Sequence, residues 1–318
     1  MSLKCASFFA GVGGIDKGFE LAGFETIYAN EVDVNAAKTY QANFPDVHLD
    51  VCDIKTLNEK ELPNFDILLA GFPCQAFSVA GYRQGFLDEK GRGNLFFELA
   101  RIIKEKQPAV LFLENVKNLV SHDSGNTFQV INGTLEDLGY TVKAMVLNAS
   151  NYGNIPQTRE RIYIVGFKDQ EQAQKFDFPK PIRLEKQLSD VIDFGNEQDE
   201  RFYYTREKCA FYNKLADITK CDTCYQWRRV YVRENKSKLC PTLTANMGTG
   251  GHNVPLIRTY DGRIRKLTPR ECFNLQGFPQ DFILPESLCY GALYKQAGNS
   301  VVVSVIERIA NKIKETLN

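Results

Sequence analysis

The chain has 318 residues, of which 43% are hydrophobic and 25% are charged. This length and composition predict an enzyme that buries a sizeable core and has one large and one smaller domain. The formal net charge is zero, which excludes a protein that binds polyanions through a uniformly basic surface.

The charge is unevenly distributed along the sequence. Residues 201–270 contain fifteen Lys and Arg residues against five acids, so this segment carries a charge of about +10 and the remainder about −10. A single basic face of this kind suits contact with phosphate groups. Its cations include Arg228, Arg229 and Arg233.

The nine cysteines are scattered and odd in number. There is no secretory leader pattern and no apolar run of about 18 residues, so we expect reduced thiols in a cytoplasmic protein. Cys221 and Cys224 have the CxxC spacing of a zinc site, and Cys209 and Cys240 are near in sequence. No second CxxC pair or histidine has ligand spacing, so the prediction is no metal, with a zinc cluster as the alternative.

The first predicted elements are a strand at residues 5–10, a glycine turn at 11–14 and an amphipathic helix. Glycines in such a turn let the backbone approach a ligand whose polar end faces the helix N-terminus, although they also suit a tight turn. The second strand, residues 25–30, ends in Glu31. An acid about twenty residues after the glycines accepts hydrogen bonds from ribose hydroxyls. The two features together predict a nucleotide-type site.

A second acid follows the next helix and strand. The sequence predicts a helix over 34–43 and a third strand near 47–49, and Asp53 comes shortly after that strand. Asp53 either binds an adenine amino group or caps the next turn. Both interpretations fit the sequence equally well.

The next apolar strand leads to a cysteine. Residues 65–70 read as a buried strand that stops at Gly71 and Pro73, so Cys74 is presented at the mouth of a turn. In an α/β sheet, ligands bind just past the carboxyl ends of the strands, which is where we expect this nucleophile. The glycine-rich and charged stretch 80–94 is either a closing lid or a surface loop.

A carboxylate follows the next buried strand. Apolar spacing predicts a helix over 95–106, and a strand at 109–113 runs directly into Glu114. A buried carboxylate is costly unless it is protonated or paired, so Glu114 is either a general acid/base or part of a structural ion pair. A helix over 127–138 and a strand over 141–147 are predicted to follow.

Three polar side chains alternate before another apolar strand. Gln157, Arg159 and Arg161 precede the apolar residues 162–166, and we expect all three on one face of an incipient strand. Guanidinium groups on one face suit a carboxylate, a phosphate or a carbonyl oxygen. An exposed charged edge is the alternative.

The sequence also predicts a boundary between two domains. Residues 170–200 are rich in Gln, Glu and Asp and contain prolines, as linkers often do. We expect a catalytic domain of residues 1–184 plus 295–318, with a closing helix over 301–316, and a second domain of residues 185–294. The second domain shows two short β-like pieces, residues 229–233 and 254–258.

The ordered motifs resemble those of the DNA (cytosine-5)-methyltransferase family, specifically the compact bacterial restriction-modification type. They span nearly the whole chain in the family's order, except for about 190–255, where members that read different DNA sequences differ. The matching motifs are FAGVGG at 9–14, NE at 30–31, GFPCQ at 71–75, ENV at 114–116, QTRER at 157–161, RKLTPRE at 265–271 and GNSV at 298–301.

The resemblance implies a Rossmann-like α/β domain that binds S-adenosylmethionine and a smaller, mostly β and loop, target-recognition domain. The cofactor-binding residues that it implies are Phe9, Gly11, Gly13, Glu31, Asp53, Pro73, Asn299 and Val301. Val32 stands where relatives often have an aromatic residue against adenine, so the resemblance does not extend to stacking there.

The resemblance also implies the reaction. The thiolate of Cys74 adds to C6 of a cytosine, and C5 then accepts the methyl group. Glu114 donates or shares a proton at N3 of the base, and Arg161 donates a hydrogen bond to O2. Arg159 or Arg161 lowers the pKa of the Cys74 thiol.

The implied partner is double-stranded DNA, from which the target base must be flipped out. The implied DNA-binding residues are Gln75, Arg228, Arg229, Arg233 and Thr242. The expected setting is the bacterial cytoplasm, with a monomer that protects host DNA within a restriction-modification system. The stretch from Cys240 to Gly251 looks like that of relatives that read GC-rich palindromes.

Three rival interpretations are weaker. A degenerate, non-catalytic DNA-binding protein does not require the four intact catalytic-type positions. Methylation of RNA is the activity of a tRNA-directed branch, and the variable domain here looks bacterial. A nicotinamide dehydrogenase explains the glycine turn and Glu31 but leaves Cys74 and the basic segment unexplained.

Overall fold

The computed structural model of the chain describes residues 3–73, 95–207, 209–228, 230–248 and 253–318. The chain forms two compact units. Unit 1 comprises Met1–Leu147, Glu160–Lys180 and Ile306–Asn318, and unit 2 comprises Asn148–Arg159 and Pro181–Val305. The division into domains at 184/185 and 294/295 stays a prediction.

Strands and helices alternate through the first half of the chain. The described strands are β1 Lys4–Phe8, β2 Glu25–Asn30, β3 His48–Asp50, β4 Ile67–Gly71, β5 Val110–Val116, β6 Thr141–Asn148, β7 Glu160–Phe167, β8 Tyr225–Trp227, β9 Val232–Glu234, β10 Leu256–Arg258 and β11 Ile264–Lys266. The described helices are α1 Gly14–Leu21, α2 Val34–Asn43, α3 Leu95–Lys106, α4 Asn126–Asp137, α5 Ala149–Tyr152, α6 Gln170–Lys175, α7 Pro269–Asn274, α8 Tyr290–Asn299 and α9 Val303–Leu317. The predicted helices over 34–43 and 95–106 are confirmed.

Unit 1 is built on a sheet whose strands lie in the order β3-β2-β1-β4-β5-β7-β6. The first five strands in this order run parallel, and β7 pairs with β5 in antiparallel direction. The residues Ile67, Leu68, Leu69 and Ala70 of β4 are all fully buried, as expected for a central parallel strand covered on both faces. The continuous apolar run at 65–70 therefore predicted this strand correctly.

The path of the chain reverses between β1 and β4. From β1 the chain moves outward to β2 and β3, and it then returns to β4 on the other side of β1. A crevice opens at such a switch point outside the carboxyl ends of the strands, because the connections leave in opposite directions. The glycine turn after β1 and residues 71–73 after β4 both lie at this edge.

Unit 2 contains a small sheet in the order β11-β10-β8-β9, in which the described pairs are antiparallel. Its core includes Leu215, Tyr225 and Leu256. The predicted pieces at 229–233 and 254–258 correspond in part to β9 and β10. The strands β8 and β11 were missed, because each has only three residues and, unlike β9 and β10, neither overlaps a longer β-like piece of the sequence.

A buried ion pair holds the start of α7 in unit 2. The guanidinium of Arg265 donates to both carboxylate oxygens of Glu271, over 2.7 and 2.8 Å, and also to the carbonyl of Asp193. The same carboxylate accepts from the amides of Asp193 and Thr268. Each charge is therefore paired and hydrogen-bonded, which is the condition under which a buried pair is tolerated. The RKLTPRE motif is thus part of the framework of unit 2.

A buried carboxyl group lies under the glycine turn of unit 1. Asp16 is fully buried, and it accepts hydrogen bonds from Ser7 Oγ at 2.9 Å and Tyr40 Oη at 2.8 Å. Burial raises the pKa of Asp16 from 3.8 to about 6, against the opposing effect of these hydrogen bonds. The folded state holds the proton of Asp16 more tightly than the unfolded chain does. The protonated carboxyl group therefore contributes its full stabilisation below about pH 3.8, and this stabilisation is lost as the pH rises through about 6.

Asp16→Asn should reduce the pH dependence of stability in this window. The amide can donate to Ser7 Oγ and accept from Tyr40, and it does not ionise. Between about pH 5 and pH 7.5 we expect the free energy of unfolding of the native chain to fall by about 1–2 kcal/mol relative to the variant. Urea unfolding at the two pH values measures this difference. Asp46→Asn, at an exposed position, is the control, and an identical pH response of the native chain and D16N would contradict the role of Asp16.

Candidate active site

The turn after β1 has a left-handed backbone at three positions. The φ angles are 54° at Phe9, 58° at Gly11 and 83° at Gly13. A Cβ on Gly13 would overlap the ring of Phe44, whereas a Cβ on Gly11 would meet nothing within 4 Å. The loop therefore leaves open space beside Gly11. The left-handed conformation of Phe9 had no sequence signal, because aromatic residues rarely adopt it.

Glu31 links the end of β2 to the glycine turn. Its Oε2 accepts from the amide of Gly11 at 2.7 Å, and its Oε1 accepts from the amides of Val32 at 2.9 Å and Asp33 at 2.7 Å. The structure thus brings together the two features that suggested a nucleotide-type site. A carboxylate has about four acceptor positions, so this arrangement is compatible with a ribose hydroxyl as a further donor.

The end of β3 carries the second predicted acid. Asp53 is exposed, and its Oδ1 accepts from the amide of Lys55 at 3.0 Å, which caps the 3₁₀ turn Ile54–Thr56. The capping interpretation is therefore observed, and the adenine contact stays a prediction. The side chains of Val32 and Val51 are 62% and 45% exposed.

Glu114 and Arg161 form an ion pair at the end of β5. Arg161 Nε lies 3.1 Å from Glu114 Oε1, and Arg161 Nη1 donates to the carbonyl of Glu160 at 2.8 Å. Glu114 is only 8% exposed. In the register of the sheet Glu114 lies beside Gly71, and its Oε2 is 3.5 Å from the position of a Cβ on that glycine. The structural ion pair is therefore observed, and the general acid/base role of Glu114 stays a prediction.

Asn115 fixes the backbone that leads to the predicted nucleophile. It is 2% exposed, its Nδ2 donates to the carbonyl of Phe72 at 2.8 Å, and its Oδ1 accepts from the amide of Val116 at 2.8 Å. Phe72 comes just before Pro73, which is exposed. The sequence pattern alone gives Asn115 no role, although an amide next to an acid at the end of a buried strand is a usable signal.

Several predicted residues lie outside the described part of the chain. They are Cys74, Gln75, Arg229 and the stretch 80–94. Their roles stay predictions.

Gln157 and Arg159 belong to unit 2 and precede β7, which begins at Glu160. The expected strand therefore starts later than predicted. Arg159 is 3% exposed; its Nη1 donates to the carbonyl of Leu243 at 2.8 Å, and its Nη2 donates to the carbonyls of Gly298 at 3.2 Å and Ser300. These described contacts are with backbone oxygens, so the predicted effect of Arg159 on the Cys74 thiol has no contact that tests it.

The two predicted cofactor residues of unit 2 follow one another closely. Asn299 is the last residue of α8 and is exposed, whereas Val301 is 4% exposed. Unit 2 also has a cavity of about 440 Å³. Its lining includes Arg228 and Thr242, both predicted DNA contacts, together with Gln226, Trp227 and Asn246. Arg233 is exposed and is not among the lining residues.

The cysteines of unit 2 show no zinc geometry. Cys221 Sγ donates to the carbonyl of Thr259, and Cys224 and Cys240 are both fully buried. Burial and the adjacent thiol of Cys224 raise the pKa of Cys240. Within the described ranges no group of three or more His, Cys, Asp or Glu side chains is arranged to hold a metal ion. No helix in those ranges combines the length and the apolar character that a membrane span requires.

The sheet is Rossmann-like, with an antiparallel β7 next to β5. The glycine turn joined to Glu31 and the acid at the carboxyl edge of β5 lie where a methyltransferase of this fold has its site. The model of the family described as C-5 cytosine-specific DNA methylase matches residues 3–315. The chain belongs to this family, and its activity is that of a DNA (cytosine-5-)-methyltransferase. The predicted family, fold class and enzyme class are confirmed.

Curated relatives match along the full chain. Type II methyltransferase M.Bsp6I from Bacillus sp. (strain RFL6) is 61% identical over 317 residues, covering 99% of both chains. Type II methyltransferase M.HhaI from Haemophilus parahaemolyticus is 40% identical over 329 residues, covering 99% of this chain and 95% of that protein.

Solved structures give the same fold. A DNMT2 mutant from Spodoptera frugiperda superimposes with a TM-score of 0.76 at 20% identity, covering 98% of this chain and 100% of that chain. A putative DNA modification methyltransferase encoded within a prophage of E. coli has a TM-score of 0.70 at 25% identity and full coverage of both chains.

Asn115→Asp should destabilise the chain by about 2–4 kcal/mol, because it removes the donor to Phe72 and places a charge among buried groups. Chemical unfolding at neutral pH measures the loss. Asn118→Asp makes the same chemical change at an exposed position three residues away and should stay within about 0.5 kcal/mol of the native chain. Equal stability of N115D and N118D would show that the hydrogen bond to Phe72 contributes little.

Proposed function

We propose that the chain methylates C5 of one cytosine, flipped out of a specific duplex DNA sequence, through a covalent adduct with Cys74. The observation that carries this proposal is the Glu114–Arg161 ion pair. It places an acid and a cation beside Gly71, which comes three residues before Cys74 in the sequence. C5 of cytosine is too weak a nucleophile to accept a methyl group unaided. A thiolate that adds to C6 makes C5 enamine-like, and loss of the C5 proton after transfer expels the thiolate.

Glu114 and Arg161 are proposed to stabilise the charge that develops on the base during this reaction. Addition at C6 develops negative charge on N3 and O2, and a buried acid can donate or share a proton at N3. Arg161 Nε holds Glu114 Oε1 in position, and its guanidinium is proposed to donate to O2. A free cysteine has a pKa of about 8.5, so the Cys74 thiol requires positive charge nearby, for which Arg161 and Arg159 are the candidates.

S-adenosylmethionine supplies the electrophilic methyl group when it is bound. The backbone of the glycine turn is proposed to approach its methionine end, and Glu31 to accept from its ribose. The residues proposed to hold it are Phe9, Gly11, Gly13, Glu31, Asp53, Pro73, Asn299 and Val301. The support is the open space beside Gly11 and the exposed Val32 and Val51 at the neighbouring strand ends.

The DNA side is proposed to lie on unit 2, where Arg228 and Thr242 line one cavity. A cation and a hydroxyl in one concave surface suit phosphate and base edges. Gln75, Arg229 and Arg233 complete the proposed DNA contacts. We further propose that the protein is a monomer at the bacterial nucleoid that protects host DNA from a partner nuclease.

Cys74→Ser should lower methyl transfer by at least about a thousandfold and leave affinity for duplex DNA within a few-fold, because serine is a far weaker nucleophile of similar size. Transfer of labelled methyl groups to DNA and a gel-shift titration measure the two quantities. Cys289→Ser, at an exposed thiol, is the matched control and should retain full activity. Substantial methyl transfer by C74S would remove Cys74 from the nucleophile role.

Glu114→Gln should lower kcat about 10²–10⁴-fold, because the amide can form a hydrogen bond with N3 but cannot transfer a proton to it. The amide oxygen still accepts from Arg161. Affinity for S-adenosylhomocysteine should be unchanged. Glu160→Gln is the matched control, since Glu160 is paired with Lys117 at the same sheet edge. An unaltered kcat in E114Q would leave Glu114 a purely structural partner of Arg161.

A further inference from the structure

Arg159 joins two segments of unit 2 that are far apart in sequence. Its Nη1 donates to the carbonyl of Leu243, and its Nη2 donates to the carbonyls of Gly298 and Ser300. The side chain is 3% exposed. A planar guanidinium with donors in a fixed fork sets the distance between its acceptors more rigidly than an ammonium group does.

The same two segments are in direct backbone contact. A Cβ on Gly298 would overlap the carbonyl carbon and oxygen of Thr244 and would crowd the amide of Ala245. Only glycine therefore lets the end of α8 lie this close to the loop that follows Leu243. This close approach is independent of the charge on Arg159.

Two glutamines also hydrogen-bond the backbone of the segments in contact. Gln157 Oε1 accepts from the amide of Leu243 at 3.2 Å, and its Nε2 donates to the carbonyl of Leu275 at 2.6 Å. Gln276 Nε2 in turn donates to the carbonyl of Ala297 at 2.6 Å. Gln157 of the QTRER motif thus holds the Leu243 side of the contact, and Gln276, outside that motif, holds the end of α8.

Each segment carries a residue with a different proposed ligand. Thr242, next to Leu243, is proposed to bind a DNA phosphate, and its hydroxyl also donates to the carbonyl of Thr158. Asn299 lies between the two acceptors Gly298 and Ser300 and is proposed to bind the cofactor. A shift of either segment relative to Arg159 would therefore alter the other.

We infer that Arg159 is a positioning residue that couples DNA binding to cofactor binding, by holding the Gly298–Ser300 segment against the loop at Leu243. This inference rests on the proposed function. Coupling between two sites is reciprocal: DNA raises the affinity for cofactor by the same factor by which cofactor raises the affinity for DNA. The size of this factor depends on Arg159 and Gly298. The affinity for each ligand in the absence of the other depends on these two residues much less.

The test measures the coupling factor by calorimetry. The dissociation constant of S-adenosylhomocysteine is determined with and without a duplex oligonucleotide that carries the methylated site, which bisulfite sequencing of DNA from expressing cells defines. We expect a factor of at least about 5 in the native chain. In Arg159→Lys and in Gly298→Ala the coupling factor should fall below about 2. The two substitutions perturb the contact by different physical means, one by changing the hydrogen-bond donor and the other by adding a Cβ.

Two matched controls separate coupling from general loosening of unit 2. Arg270→Lys changes another guanidinium whose Nη2 donates to a backbone carbonyl, that of Phe282, and Gly195→Ala adds a Cβ that makes only ordinary contact with Tyr260, at 3.5 Å. Both should keep the native factor. Thermal unfolding confirms that each variant is folded, and if either R159K or G298A fails to fold, the other decides.

The outcomes are distinct. Retention of the native factor in a folded R159K or G298A overturns the inference, as does an equal loss in the two controls or a factor of one in the native chain. A native chain that binds neither probe contradicts the proposed function itself. Loss of coupling confined to R159K and G298A supports the inference.

Discussion

The ion pair between Glu114 and Arg161 depends on the reversal of strand direction between β5 and β7. Because β7 is antiparallel to β5, the start of β7 lies at the carboxyl edge where β5 ends. A cation at the beginning of one strand therefore meets an acid near the end of the other, although they are 47 residues apart in the chain. A fully parallel sheet would place Arg161 at the opposite edge, so the topology itself supplies the charge partner.

In each unit, side chains that bind backbone atoms hold the loops. Glu31, which follows β2, accepts from the amide of Gly11 in the turn after β1 and from two amides that follow β2. Asn115 donates to the carbonyl of Phe72. Arg159 binds three carbonyls in unit 2. Loops have few ladder hydrogen bonds of their own, so such contacts give them one conformation. Preorganised loops lower the entropy that ligand binding must overcome.

The sequence predicted well those features that depend on local pattern. The strand β4 and the helices α2 and α3 follow from apolar spacing. The residue types at the strand ends suggested that the glycine turn and Glu31 belong to one site, and the structure brings them together. Features that depend on long-range pairing were not accessible. The late start of β7, the carbonyl contacts of Arg159 and the strand β8 arise from packing between distant segments, which no periodicity encodes. The capping role of Asp53 was one of two possibilities that the sequence alone left equal.

The left-handed backbone of Phe9 restricts which side chains suit this position. A non-glycine residue in this conformation stores about 1–3 kcal/mol of strain, which the fold tolerates because the ring packs against the core of unit 1. A glycine would relieve the backbone and would lose the packing, whereas a β-branched residue would worsen the strain. Packing and backbone conformation therefore oppose each other at Phe9, and the side chain that best meets both demands is large, apolar and not β-branched.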